Sequence, residues 1–98
     1  MKLVIYIHGF NSSSSSFKAK VLGRLIEERH SNIEFWCPDL SHWPEKAVTC
    51  LIDRIGAYPI KDVTLVGSSL GGFYAAYLSQ RFGCRSVLIN PAITPHTG

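Results

Sequence analysis

The chain is short of charge. Asp, Glu, Lys and Arg together make up 17% of its 98 residues, and the formal net charge is +3. A strongly basic nucleic-acid footprint is therefore absent. Lys18, Lys20, Arg24 and Arg29 share an early segment with Glu27 and Glu28, the pattern of a solvated helix face. Cysteine is scarce and unpatterned: Cys37, Cys50 and Cys84 form no Cys-x-x-Cys pair. An odd, scattered set excludes a disulfide framework and points to reduced thiols in a cytoplasmic protein. Cys37 with His42 is too little for a metal site, so none is expected. No apolar run approaches membrane-spanning length. Leu3 to Ile7 is too short for a signal-peptide core, and no small-residue cleavage site follows it. No internal repeat is found, and the length allows one domain, residues 1–98. One further lack matters most: after Ser69 there is no Asp or Glu at all, and the only later histidine is His96.

What is present is apolar residues, 46% of the chain, in an alternating order of periods. Leu3 to Ile7 is a continuous apolar run that fits a strand buried on both faces. Phe17 to about Arg29 has Phe17, Val21, Leu22, Leu25 and Ile26 on one face at helical spacing, after a serine run from which Ser14, Ser15 or Ser16 can cap it. Ile33–Cys37 reads as a second strand, stopped by Pro38-Asp39-Leu40. A second helix starts at Pro44, with capping candidates around Ser41, and buries Ala47, Val48, Leu51, Ile52 and Ile55 before Gly56. Val63–Val66 is a third strand, Leu70 to about Phe82 a third helix stopped by Gly83, and Ser86–Ile89 a fourth strand. Ala92 to Gly98 reads as loop. Strands alternating with helices at this spacing define an α/β fold: a parallel sheet with helices on both faces.

The chemistry centres on Gly67-Ser68-Ser69-Leu70-Gly71. Gly-x-Ser-x-Gly fits in one register, with Ser69 flanked at two residues either side by glycine; for Ser68 those positions are Val66 and Leu70. A strand that becomes a helix within about one residue forces the corner residue into a strained conformation, and side chains two positions away would collide. The serine oxygen then projects above the carboxyl edge of the sheet, over helix N–H groups that favour developing negative charge. His8-Gly9-Phe10, Pro38-Asp39, Ser69 and Asn90-Pro91 all fall at strand C-termini, where parallel sheets place their sites. A simpler use of Gly67 and Gly71 is a tight turn with serine as helix cap. A phosphate cradle is the third use, but Gly-Lys-Ser/Thr and Gly-x-Gly-x-x-Gly are both missing.

Ile5-Tyr6-Ile7-His8-Gly9-Phe10-Asn11-Ser12-Ser13, the segment Gly67 to Ala75, and Asn90-Pro91-Ala92 resemble the α/β-hydrolase superfamily, and in particular the YqiA-like bacterial esterases. The resemblance spans nearly all of the chain. It implies a serine esterase or thioesterase acting on small acyl esters, without metal or organic cofactor. Ser69 is then the nucleophile, and the backbone N–H groups of Phe10 and Leu70 form the oxyanion hole. His8, Gly9, Gly67 and Gly71 support the motif. The superfamily's order is serine, acid, histidine, so the sequence looks like the N-terminal half of such a fold, apparently truncated. His8 and His96 are the local candidates for a substitute base. Asp39 reads as a turn cap, and Asn90 as a turn residue or substrate contact. His30 and His42 read as surface or cap positions. The alternative is a catalytically inactive fragment or interaction module that keeps the fold. In either case Val87-Leu88-Ile89 is expected on an exposed edge, inviting self-association.

Overall fold

The computed structural model describes residues 1–8 and 17–89. Its elements are β1 (Lys2–Ile7), α1 (Phe17–Arg29), β2 (Ile33–Trp36), α2 (Pro44–Ile55), a 3₁₀ turn (Ile60–Asp62), β3 (Val63–Ser68), α3 (Gly71–Phe82) and β4 (Arg85–Ile89). The strands lie in the order β2-β1-β3-β4 and every pairing is parallel. The protein is an α/β fold, as the alternation of periods requires.

The apolar strands divide their side chains by the two-residue period of β structure. Leu3, Ile5, Ile7, Val63 and Leu65 face α2 and α3, where they meet Leu51, Ile55, Ala75 and Leu78. Tyr6 and Val66, with Val4, face the other way onto Ala19 and Leu22 of α1. Each fully buried aliphatic side chain contributes about 1.5–3 kcal/mol relative to an exposed one. The continuous apolar runs of β1 and β3 are explained by helices on both faces.

Element boundaries differ from the sequence expectation by a residue or two. β2 stops at Trp36, β3 runs on through Ser68, and α3 begins at Gly71. The cap of α2 also differs. Trp43 is the N-cap and has no side-chain cap bond; Ser41 Oγ accepts the N–H of Trp43 instead, at 3.1 Å. Ser14, Ser15 and Ser16, the caps considered for α1, lie outside the described residues.

The larger correction concerns α1. Phe17 is 76% exposed, and Val21 and Leu25 are each 42% exposed. The residues that face the sheet are Ala19, Leu22 and Ile26. Gly23 explains the rotation: a Cβ there would sit 3.0 Å from the Phe35 ring. Small residues let the helix lie close over β2, and the larger apolar side chains turn outward. At the other end of the sheet, β4 pairs only with β3 among the described residues. Its Val87 and Leu88 are 50% and 43% exposed.

Candidate active site

The carboxyl edge of the sheet brings β1 and β3 side by side, with Ile7 opposite Gly67 and Ser68 opposite Ile89. Between the end of β3 and the start of α3 stand only Ser69 and Leu70. Ser69 has φ +53°, the one positive φ at a non-glycine residue among the described residues. A side-chain-bearing residue in that region costs on the order of 1–3 kcal/mol and persists only where its surroundings fix it. Here they do. The Ser69 N–H donates to the Ile89 carbonyl at 3.0 Å, and the Ser69 carbonyl accepts the N–H of Gly72 at 3.0 Å. Leu70 accepts the N–H of Phe73 at 3.1 Å. Ser69 itself is exposed, whereas Gly67, Gly71 and Gly72 are buried.

The glycines have different neighbours. A Cβ on Gly67 would lie 2.6 Å from Gly72 Cα and 2.8 Å from both Ala75 Cβ and the Gly71 carbonyl oxygen. A Cβ on Gly71 would lie 2.0 Å from the Ile7 carbonyl oxygen and 2.9 Å from that of His8. Gly67 thus admits the first turn of α3 against β3, and Gly71 admits it against the end of β1. Gly72 shares the first contact. The paired glycine in Gly71-Gly72 is its sequence signal, and the five-residue motif alone overlooks it.

Leu70 is the N-cap of α3, in helical conformation at φ −64° and ψ −22°. The N–H groups at a helix start have no partner within the helix and carry the positive end of its dipole. The corner therefore offers backbone donors beside an exposed hydroxyl. Phe10, the other expected oxyanion donor, and Gly9 lie outside the described residues. Asn90 and His96 do as well.

His8 is held on the β2 side. Its Nε2 bonds to the Pro38 carbonyl at 2.8 Å and lies 3.9 Å from Asp39 Oδ1, with the imidazole side chain 8% exposed. Donation to a carbonyl places the proton on Nε2. The two residues read separately in the sequence are thus joined, and they tie the ends of β1 and β2 together. His30 and His42 are exposed, and the His30 N–H closes α1 on the Ile26 carbonyl at 2.8 Å.

Two of the three cysteines, Cys37 and Cys84, are held as neutral thiols. Burial, helped by the charge of Asp39, pushes the Cys37 thiol up to about 11, and burial also raises Cys84. A neutral thiol is a weak nucleophile. Among the described residues no group of three His, Cys, Asp or Glu side chains could hold a metal ion. No helix there is long and apolar enough to cross a membrane.

A second cluster lies on the β2 edge, away from Ser69. Arg54 stacks 5.0 Å from the centre of the Trp36 ring and pairs with Glu34 at 3.2 Å. The Tyr58 hydroxyl donates to the same carboxylate, and this bond raises the tyrosine above its ordinary range. The groove beside it, about 740 Å³ and lined by Trp36, Lys46, Cys50 and Asp53 among others, includes no residue of the β3–α3 corner. Its charges are mixed: Glu45, Lys46, Asp53 and Arg54 all line it.

A parallel α/β sheet with a glycine-flanked serine at the turn from its third strand to its third helix is the class this geometry defines. Within it, the chain belongs to the uncharacterised protein family UPF0227, whose family model matches residues 3–98. A UPF0227 protein of Shewanella woodyi is 25% identical over 97 residues, which cover 95% of this chain and 52% of the relative. The chain spans about half the length of that curated relative.

Gly71→Ala should lower the unfolding free energy by about 3 kcal/mol or more, because the clash is with backbone of another strand. Gly56→Ala should change it by less than about 1 kcal/mol, since Gly56 is already in right-handed helical conformation. Chemical denaturation of the two variants measures both. Iodoacetamide at neutral pH should modify the exposed Cys50 first. The rate at Cys37 should keep climbing until about pH 11, which peptide mapping across a pH series would follow.

Proposed function

We propose that the β3–α3 corner is the nucleophile site of an acyl-ester or thioester hydrolase. The observation that supports this reading is the left-handed Ser69 at φ +53°, exposed where the parallel sheet ends. That is the conformation a nucleophile elbow requires. In the proposed reaction Ser69 Oγ attacks the ester carbonyl carbon, its proton passes to a base, and the C–O or C–S bond to the leaving group breaks. Water then releases the acid and restores the hydroxyl. The Leu70 N–H, with the Phe10 N–H that the esterase resemblance assigns, would hold the oxyanion; one such donor is typically worth about 10²–10³ in rate. No metal or cofactor is needed for these steps. The three free cysteines suit a cytoplasmic setting.

The chain supplies a nucleophile and amide donors, but no acid follows Ser69. The base and acid of the superfamily's order would be contributed by chain beyond what is matched here, in keeping with a relative of about twice the length. Without them, catalysis falls to a residual of about 10³–10⁴ over water. This lack is also what favours the second reading, an inactive fragment or interaction module that keeps the corner as architecture.

Turnover of para-nitrophenyl acetate by the purified chain separates the two readings. The hydrolase reading expects slow ester cleavage that Ser69→Ala reduces to the uncatalysed rate and Ser68→Ala leaves within about twofold. Turnover unchanged in Ser69→Ala would remove this serine from the mechanism, and no turnover above buffer would leave the inactive module.

A further inference from the structure

His8 follows the last residue of β1 and is attached in two directions. Its backbone belongs to the corner. The carbonyl oxygens of Ile7 and His8 lie 2.0 Å and 2.9 Å from where a Gly71 Cβ would stand, so they are the wall that the first turn of α3 rests against. Its ring belongs to the end of β2. Nε2 donates to the Pro38 carbonyl at 2.8 Å, and the Asp39 carboxylate, 3.9 Å from the same nitrogen, favours the proton there. The imidazole side chain is 8% exposed, and a hydrogen bond shielded from water is electrostatically stronger than an exposed one.

The strand register shows what this bond adds. β1 stays paired with β3 as far as Ile7 and Gly67, but its pairing with β2 ends at Ile5 and Trp36. Past Ile5 the ring bond to Pro38 continues the attachment on the β2 side. It acts at the residue whose carbonyl meets Gly71. A nitrogen that donates to a carbonyl does not accept the Ser69 proton, so this geometry does not use Nε2 as the base.

We infer that His8 is a positioning residue of the Ser69 centre. By tying the end of β1 to Pro38, its ring fixes the Ile7 and His8 carbonyls against Gly71, and through them the backbone of Ser69 and Leu70. This role rests on Ser69 being the nucleophile. The corner uses the ring's N–H and not its basicity. A glutamine side chain carries an N–H at the reach of Nε2 and takes up no proton at neutral pH. Leucine has no donor, and the asparagine amide ends one atom short of Pro38.

The test labels the full chain with an alkyl fluorophosphonate. Ser69 Oγ attacks phosphorus, the P–F bond breaks, fluoride leaves with the bonding electrons, and the hydroxyl proton passes to solvent. Intact mass follows the labelling and peptide mapping assigns it to Ser69. Each variant is compared well below its own melting temperature, so that folded chain is what reacts. A displacement of about 1 Å at a reacting centre costs on the order of 100-fold in rate. His8→Leu and His8→Asn should therefore each lower the maximal labelling rate at least about tenfold, with the half-saturating probe concentration within about twofold. His8→Gln should stay within about threefold of the parent. Long-range proton–nitrogen spectra of the parent give a second measurement, in which the imidazole signals lost in His8→Gln should show the proton on Nε2. His8→Gln as slow as His8→Asn, both folded, would overturn positioning in favour of proton transfer by the ring. A parent-like rate in a folded His8→Leu or His8→Asn chain, or a proton on Nδ1, would overturn it while leaving Ser69 in place. Labelling of parent Ser69 no faster than that of free serine would remove the Ser69 reading and the positioning role with it.

Discussion

The first turn of α3 sits against the ends of two strands at once, and the rest of the site depends on that contact. At Gly71 the space where a side chain would begin is occupied by the Ile7 carbonyl, 2.0 Å from the position of a Cβ. At Gly67 it is occupied by Gly72, at 2.6 Å. With helix and strand so close, the connection has room for Ser69 and Leu70 only. A two-residue reversal of this kind cannot be made with ordinary backbone angles, and the strain falls on Ser69. The cost, on the order of 1–3 kcal/mol, is offset by the burial of β1 and β3 on both faces and by the bonds that hold Ser69 to Ile89 and Gly72.

The same contact has an electrostatic result. It brings the amino end of α3, with the positive end of its dipole, next to Ser69, which the turn leaves exposed. A longer connection would move Ser69 away from it. A non-glycine at position 67 or 71 would push the helix off the sheet. Geometry that is costly to the fold is therefore also what makes the corner suited to a reaction in which negative charge develops on oxygen.

Much of this was legible in the residues. The apolar runs at Leu3 to Ile7 and Val63 to Val66, with periodic stretches between, identify a parallel α/β sheet, because only helices on both faces account for strands without a polar side. The placement of Gly67, Ser69 and Gly71 marks the corner for steric reasons that hold in any sequence. The rotation of α1 was not legible. Periodicity weights large apolar side chains, so it selects Phe17, Val21 and Leu25 along with Leu22 and Ile26; only the last two meet the sheet, together with Ala19, and Gly23 lies close to Phe35. The pairing of His8 with Pro38 and Asp39 was also hidden, since it joins residues thirty positions apart. The direction of the Gly71 contact, toward β1 and not merely toward Gly67, depends on strand order and could not be read from the motif.

The strain at Ser69 is the claim on which the account turns, and Ser69→Gly measures it most directly. Glycine enters the left-handed region without the penalty of a Cβ. If the corner is held in that conformation by its surroundings, Ser69→Gly should stabilise the chain by about 1 kcal/mol in chemical denaturation relative to Ser69→Ala, which keeps the Cβ. A Ser69→Gly chain less stable than Ser69→Ala, as expected where glycine only adds freedom to the unfolded state, would contradict a strained corner.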